Sequence, residues 1–268
     1  MRQLDIRIDA ALGTYDEECR WDLIDGILSE CPDDVLEAGC ALLRDQLGGG
    51  RTLGADILGR LVGVEPNCRA VVLDALLAAL IIEKASAARA SIVAALGHVG
   101  DPGTLGRVFP LADDPDPAVR LAVAFTVATI SPQPLAPDAR VALIRLSRDT
   151  DSEVRDWATF GLGTLTDDDG PDVRAALLAR AEDVCHEARA EALFGLAVRR
   201  DPRAVPHLIR ALQSPLVHLL EVDAAAESAA PRLLPALWAL QQAGATDQLR
   251  VRRAIDRCSG RDRPALPS

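Results

Sequence analysis

Three similar stretches decide the fold of this chain: DPDPAVRLAVAFTVATI at residues 114–130, DTDSEVRDWATFGLGTL at 149–165 and CHEARAEALFGLAVRRD at 185–201. They align on Arg120, Arg155 and Arg189, which lie 35 and 34 residues apart. Self-similarity at a fixed period of this length is typical of proteins built from stacked repeats, in which each unit contacts its neighbours. The sequence therefore predicts an array of similar units.

Phenylalanine follows each of these arginines by five positions, at Phe125, Phe160 and Phe194, and the chain has only four phenylalanines. Seven positions after each arginine stands valine or leucine, followed by alanine or glycine. A fainter copy contains Arg89, and another runs through Leu58 and Gly59. We expect the phenylalanines to occupy equivalent interior places in successive layers.

Each unit reads as two helices, because apolar residues recur at helical spacing and no period-2 alternation is present. We call the arginine-bearing helix A and the other helix B. Asp-Pro, Ser-Pro and Gly-Pro pairs fall between helices, where proline is tolerated. Asp116 and Asp151 each precede an arginine by four residues and are predicted N-caps. The small residues on A helices are expected to admit a neighbouring helix closely.

This pattern resembles HEAT repeats, particularly the bacterial phycobilin-lyase-type HEAT-like repeats. The resemblance is good over residues 85–213. Residues 1–84 and 214–260 read as divergent N-terminal repeats and a C-terminal cap, and 261–268 as a tail. The resemblance implies an all-α fold, a right-handed α-α superhelix of about six to seven helical pairs forming one solenoid domain over 1–268. It is nearly silent on function, because the family includes scaffolds, inhibitors and a few enzymes.

Composition limits the class of partner. The 268 residues are 49% hydrophobic and 3% aromatic, with a formal net charge of −11. That charge disfavours nucleic acid and anionic membranes and favours a basic protein. No secretory signal or membrane span is visible, so we expect a cytoplasmic protein with reduced thiols. The six cysteines include no Cys-x-x-Cys pair, so we expect small core residues rather than a zinc site.

The repeated arginines have a structural and a functional interpretation. In HEAT-like families the equivalent arginine usually pairs with an aspartate of a neighbouring repeat, so the resemblance implies an internal ladder of Arg120, Arg155 and Arg189. Asp116 and Asp151 are candidate partners. The alternative is a row that binds a ligand. We favour the structural interpretation.

Acidic residues recur at the turns before A helices and in one turn between helices. The predicted acidic edge consists of Asp113, Asp114, Asp149, Asp151, Asp167, Asp168 and Asp169. Helix capping and solvation account for most of them. The alternative is a ridge that attracts a basic partner and adds mainly to on-rate and specificity.

The B helices line the concave face in HEAT-type solenoids, so the resemblance makes their side chains the expected partner contacts. They are rich in basic residues: Arg107, Arg140, Arg145, Arg174, Arg180, His207 and Arg210. A row of guanidinium groups binds carboxylates or phosphates well. An ordinary charged helix surface is the equally weighted alternative.

Catalytic signals are weak. Cys185 and His186 are adjacent, so their side chains diverge by about 100° on a helix, and no metal-ligand spacing is present. Trp157 is a candidate partner anchor or a partly packed side chain. We therefore expect a non-enzymatic scaffold, adaptor or inhibitor without cofactor or metal. The alternatives are a HEAT-like DNA glycosylase, using Asp156 and Trp157, and a bilin lyase or isomerase. The oligomeric state is not predicted.

Overall fold

The described part of the chain is entirely helical. A computed structural model describes residues 2–14, 16–244 and 247–261. Within these ranges there are sixteen α-helices, four short 3-10 turns and no β-strand. The all-α prediction is confirmed, whereas residues 262–268 of the predicted tail lie outside the described ranges. The chain divides into two compact units, Met1–Pro132 and Gln133–Ser268.

The first unit contains eight helices. They are α1 (Gln3–Gly13), α2 (Glu17–Leu28), α3 (Pro32–Leu42), α4 (Gly48–Val64), α5 (Arg69–Ile82), α6 (Ser86–Val99), α7 (Leu105–Val108) and α8 (Pro117–Ile130). The 3-10 turns of this unit are Pro66–Cys68, Pro102–Thr104 and Phe109–Asp113. Proline begins α3 and α8, where its missing N–H costs no helical hydrogen bond.

The second unit also contains eight helices. They are α9 (Pro137–Leu146), α10 (Ser152–Gly163), α11 (Pro171–Arg180), α12 (His186–Val198), α13 (Ala204–Leu212), α14 (Leu219–Ser228), α15 (Leu234–Ala243) and α16 (Gln248–Ser259). A 3-10 turn, Pro231–Leu233, precedes α15. The sixteen α-helices make eight pairs in the described ranges, slightly more than the six to seven predicted.

The even-numbered helices from α4 to α16 are the A helices of the repeats, and they pack directly on one another. In the first unit α6 lies between α4 and α8, and in the second α12 and α14 lie between α10 and α16. The small residues make this possible. A Cβ on Gly195 of α12 would lie 2.5 Å from the Cα of Gly163 on α10. The predicted close approach of A helices is therefore present.

The odd-numbered B helices of successive pairs meet at only a few residues, as α9 does with α11 and α13 with α15. The A helices are thus the more closely packed layer of each unit, and we call them the inner layer. The assignment of the concave face to the B helices stays a prediction.

The phenylalanines of the A helices are not among the fully buried residues of those helices. Val154, Ala158 and Leu162 of α10 are 0% exposed, whereas Phe125, Phe160 and Phe194 are all half-buried. The three phenylalanines do hold equivalent positions on α8, α10 and α12. They lie at the margin of the inner layer and not in the interior, contrary to the expectation from their repetition.

Other expectations concern membrane spans, thiols and domains. Within the described ranges, no helix combines the length and apolar character needed to cross a bilayer. All six cysteines are free thiols. Cys68 and Cys258 are buried as predicted, and Cys40 and Cys185 are half-buried. Cys19 and Cys31 are exposed, since Cys19 lies in the first turn of α2 and Cys31 is the N-cap of α3. The single-domain assignment stays a prediction.

Candidate protein-binding surface

The repeated arginines form ion pairs with the next repeat inside each unit. In the second unit, Nε and Nη2 of Arg155 donate to the two carboxylate oxygens of Asp183, both at 2.9 Å. The Nε of Arg189 donates to Glu221 at 2.9 Å. Arg155 also donates through Nη1 to the carbonyls of Asp149 and Thr150. Arg155 of α10 and Arg189 of α12 thus each join their own repeat to the next.

The first unit repeats this geometry. Arg51 donates to both carboxylate oxygens of Glu83, at 2.6 and 3.1 Å. Arg89 lies 3.4 Å from the carboxylate of Asp114. Arg120 donates through Nη1 to the carbonyl of Asp114 at 2.9 Å, as Arg155 does to its own turn. Arg51, which the sequence comparison did not single out, belongs to the same series.

The carboxylates of this ladder are not the ones proposed from the sequence. Asp116 and Asp151 are N-caps, as predicted: Asp116 accepts from the amide of Ala118, and Asp151 from those of Glu153 and Val154. Glu83, Asp114 and Asp183 of the ladder each precede the N-cap of their A helix by two residues, whereas Glu221 follows its N-cap by three. Among the described residues, neither cap carboxylate forms an ion pair with an arginine of the preceding repeat; each accepts from amides of its own helix instead.

Asp183 shows how the ladder controls ionisation. Its side chain is 3% exposed. Burial alone would raise the pKa of this carboxyl, but the hydrogen bonds from Arg155 and the Cys185 amide, with the charges of Arg155 and Arg180, outweigh burial and lower the pKa. The same contacts raise the pKa of the Arg155 guanidinium. Both groups are therefore charged at neutral pH.

The B-helix arginines are largely engaged in a second series of ion pairs. Arg140 of α9 lies 2.7 Å from the carboxylate of Asp168, and Arg174 of α11 lies 3.2 Å from that of Asp201. Arg174 also donates to both oxygens of Asp169, at 2.6 and 2.8 Å. The equivalent repeat positions of Arg140 and Arg174 thus reflect an internal role.

The other residues predicted as partner contacts on the B helices differ in their exposure and in their ion pairs. Arg180 donates to Asp183 at 2.9 Å, and Arg210 is ion-paired with Glu182, which also lies 3.2 Å from Nδ1 of His207. Arg145 is exposed on α9. Arg107 is exposed on α7 and makes no ion pair within the described ranges. The structure does not bring these side chains together as one row of free guanidinium groups.

The predicted acidic edge is also divided. Asp114 is only 7% exposed, and its Oδ1 accepts from the Asp116 amide. Asp149 accepts from the Asp151 amide in the same way. Asp168 and Asp169 pair with Arg140 and Arg174. Asp113 and Asp167 are exposed. Most of these carboxylates therefore serve caps, turns and ion pairs.

A different group of carboxylates has neither an arginine nor a lysine as a partner in the described ranges. We call it the acidic inner face; it lies on α10 and α12 and consists of Glu153, Asp156, Glu187 and Glu191, together with the aromatic residues Trp157, Phe160 and Phe194. On α10 these positions recur at helical spacing, so they share one side of the helix. None of the four carboxylates forms an ion pair with a described arginine or lysine. This separates them from the ladder carboxylates.

Burial and nearby negative charge raise the pKa of two of these carboxyl groups, Asp156 and Glu191. Burial raises the pKa of Asp156 to about 6; the negative charge of Glu187 adds to the effect, and the charge of His218 opposes it. Burial likewise raises the pKa of Glu191; the hydrogen bond from the Thr164 hydroxyl, at 2.6 Å, opposes this, and the charge of Asp156 adds to it. Like charges held close together disfavour full ionisation. A cation placed among them would relieve that repulsion.

Aromatic rings lie beside these carboxylates. The rings of Trp157 and Phe160 meet edge to face, with centroids 5.6 Å apart. Such faces attract cations. Among the described residues, no group of three or more His, Cys, Asp or Glu side chains has an arrangement that could hold a metal ion. The Cys185 thiol lies 3.2 Å from Glu187, and Nδ1 of His186 is 3.0 Å from Nη2 of Arg189.

The sequence made Trp157 a candidate partner anchor and Asp156 a candidate only for the glycosylase alternative, and it did not point to Glu187 or Glu191. Their signal is faint: Glu191 holds the repeat column of Trp157, which the repeats leave variable. Arg199 was missed as well. It is 5% exposed, and its guanidinium donates to the carbonyls of Leu162, Gly163 and Thr166 at the end of α10.

Comparison with known proteins gives a family for two parts of the chain. A model of HEAT repeats matches residues 73–163. A model of the PBS lyase HEAT-like repeat matches residues 188–214. Both segments contain arginines of the ladder. None of the curated proteins compared with the chain matches it significantly.

Solved structures share the helical architecture. The X-ray structure of the Escherichia coli protein YibA superimposes with a TM-score of 0.76 and 23% identity, covering 97% of this chain and 93% of YibA. The archaeal HEAT-like repeats protein from Thermococcus onnurineus gives 0.45 and 14%, covering 97% and 98%. At this identity YibA supports the fold alone. The two matched segments are thus HEAT-type repeats, and the fold shared with YibA is that of an α-α solenoid.

Proposed function

We propose that this chain is a non-enzymatic protein-binding module that holds a basic segment of a partner on the acidic inner face. One observation carries the proposal. Among the described residues, Asp156 and Glu191 are half-buried carboxyl groups that pair with neither arginine nor lysine, whereas the other half-buried or buried carboxylates mostly pair with arginine. Their mutual repulsion is a cost that an arginine or lysine from a partner would remove.

The neighbouring rings add to this preference. A guanidinium group that enters between Asp156 and Glu191 would lie close to the Trp157 ring, and cation–π contacts contribute about 0.5–2 kcal/mol. Tryptophan and arginine are also the residues most often found at the energetic centre of protein interfaces. The predicted basic partner thus fits the inner layer better than it fits the B helices.

The repeat architecture supports a scaffold role. Stacked helical pairs hold their surface side chains in fixed register, and repeat proteins use their inner surfaces to bind extended partners. The B-helix contacts predicted from the sequence remain untested for binding. Since Arg140, Arg174 and Arg180 already pair with aspartates, their use by a partner would require breaking those pairs.

The charge of the inner face weighs against the DNA glycosylase alternative. Asp156 and Trp157 lie among further carboxylates, which repel phosphate groups, whereas binding to duplex DNA depends on lysine and arginine contacts. No feature of the described residues favours the bilin lyase or isomerase alternative, which rests on the name of the repeat type.

The proposal can be tested with a fluorescent peptide of alternating arginine and leucine, using anisotropy at low and at physiological salt. The double variant Asp156→Asn/Glu191→Gln removes two charges with little change in shape. Asp9→Asn/Glu37→Gln removes two exposed charges from the first unit and serves as the matched control. We expect about tenfold weaker binding for the first variant, a loss of about 1.4 kcal/mol, and a smaller change for the control.

Equal losses in both variants would mean that only net charge matters, and would refute the proposal. So would duplex DNA that binds as well as the peptide at about 50 mM salt, where non-specific phosphate contacts are strong. Affinity capture with the wild type and the double variant would then identify a natural partner as a protein that only the wild type retains.

A further inference from the structure

A second candidate site lies in the first unit, apart from the acidic inner face. A cavity of about 440 Å³ opens near the C-terminal ends of α2, α4 and α6. Its volume lies within the range of small-molecule sites, about 300–1,000 Å³. The residues important here are Asp25, Leu28, Arg60, Gly63, Val64 and His98.

Arg60 is held in place with most of its donors unused. Its guanidinium carbon lies 5.0 Å from the centroid of the Trp21 ring. One guanidinium nitrogen, Nη2, is 3.1 Å from Oδ1 of Asp25. Elsewhere in the described ranges the guanidinium makes no hydrogen bond. Stacking on an aromatic ring excludes water from one face, so the in-plane N–H groups remain free for an anion.

His98 provides a second polar group on the cavity wall. Its ring centroid is 5.1 Å from that of Phe125, and its ring nitrogens form no hydrogen bond with any described residue. Burial and the positive charge of Arg60 lower the pKa of His98. At neutral pH the ring is therefore uncharged, with one N–H to donate.

The remaining walls determine the kind of anion. Leu28 and Val64 are apolar, and Val64 is 59% exposed. At Gly63 an added Cβ would meet no atom within 4 Å, so this part of the floor is open. The carboxylate of Asp25 and the negative ends of the helices oppose a doubly charged ligand such as phosphate. A single negative charge is tolerable, because Arg60 lies beside it.

We propose that this cavity binds a monocarboxylate with an apolar body, the carboxylate accepting hydrogen bonds from Arg60 and His98 and the body packing over Gly63 against Leu28 and Val64. This chemistry has two sources, a free branched-chain acid or the C-terminus of a peptide that ends in leucine. The site is independent of the acidic inner face.

The test follows the His98 ring signals by NMR in the full chain, with assignment from their loss in His98→Gln. The probes are 4-methylpentanoate and acetyl-Ala-Ala-Leu, and the corresponding uncharged amides are the controls. We expect the chemical shifts of the His98 ring to change and to saturate below about 10 mM carboxylate, ten times a typical weak Kd of ~1 mM. The pKa of His98 should be higher in the bound state. The probe with the lower Kd shows whether the ligand is a free acid or the C-terminus of a peptide.

Variants locate the binding. Gly63→Leu fills the floor and should weaken binding at least tenfold, whereas Gly49→Leu adds the same side chain to open space on the same helix and should not. Arg60→Gln should also abolish the shift, which keeps the test decisive should Gly63→Leu fail to fold. Absence of saturation, equal shifts with the amides, or unchanged binding in Arg60→Gln would overturn the proposal.

Discussion

The ladder pair Arg155–Asp183 is expected to be among the strongest single contributions to the stability of the second unit. The decisive change is Asp183→Asn, which keeps the shape of the side chain and removes its charge. The two residues are 9% and 8% exposed, and two hydrogen bonds of 2.9 Å join them. Removing one member leaves the Arg155 guanidinium buried without a counter-charge.

The magnitude follows from that geometry. Breaking a buried pair by removing one partner costs about 3–5 kcal/mol. Asparagine keeps one carbonyl oxygen, so the hydrogen bond from the Cys185 amide, worth about 1 kcal/mol, can survive. Its amide group, however, faces the donors of Arg155 and Arg180. We therefore expect a loss of about 3 kcal/mol in the free energy of unfolding at pH 7.

The assay is urea unfolding followed by far-UV circular dichroism. The matched control is Glu182→Gln at the adjacent position. It removes the ion pair between Glu182 and Arg210, whose side chains are 63% and 60% exposed. Exposed pairs contribute about 0–1 kcal/mol, so this variant should unfold close to the wild type. A loss below about 1 kcal/mol for Asp183→Asn, or equal losses for both, would refute the structural role of the ladder.

The pair also predicts a pH dependence. The pKa of Asp183 is lowered in the folded state, so its contribution is present above the unfolded pKa, about 3.9, and is lost as the pH falls through the folded value. The stability difference between the wild type and Asp183→Asn should therefore be constant from pH 5 to 8 and shrink below about pH 4. A difference that persists undiminished to pH 2 would contradict this assignment.

Two further predictions concern helix packing and the acidic inner face. Gly195→Ala should lower the free energy of unfolding by about 1–3 kcal/mol, because its Cβ would lie 2.5 Å from Gly163; Gly106→Ala, in open space, is the control, and a neutral Gly195→Ala would contradict the close approach. Asp156→Asn should be more stable than the wild type above pH 6 by about 1–2 kcal/mol after allowance for solvent screening. The sign follows because a raised folded pKa means that the folded state binds the proton more tightly, so stability falls as the pH rises from about 4 to 6. Thermal unfolding at pH 4 and pH 8 measures this, and an Asp156→Asn variant less stable than the wild type at pH 8 would contradict it.

Much of the architecture could be predicted from local sequence. The 35- and 34-residue spacing of Arg120, Arg155 and Arg189 predicts the helical pairs, and Asp116 and Asp151 are the N-caps that their positions indicate. Capping and helical periodicity depend on neighbours within about four residues, which the sequence displays directly.

Contacts between repeats could not be assigned in the same way. Asp151 and Asp183 are equally plausible partners for Arg155 in sequence, and only the folded chain shows that the residue 28 positions downstream reaches its guanidinium. The burial of the phenylalanines was overestimated for a similar reason. Repetition shows that a position matters, but its burial depends on the spacing of the neighbouring helices.

The sequence by itself determined the helical repeat, the class of fold and the expectation of a basic partner. The tertiary structure alone decided which helix layer is closely packed, which arginines are engaged in ion pairs, and that Asp156 and Glu191 pair with neither arginine nor lysine among the described residues. The physical reason is distance along the chain. Charges about 30 residues apart are brought together by packing, and packing depends on the shapes of both helices at once.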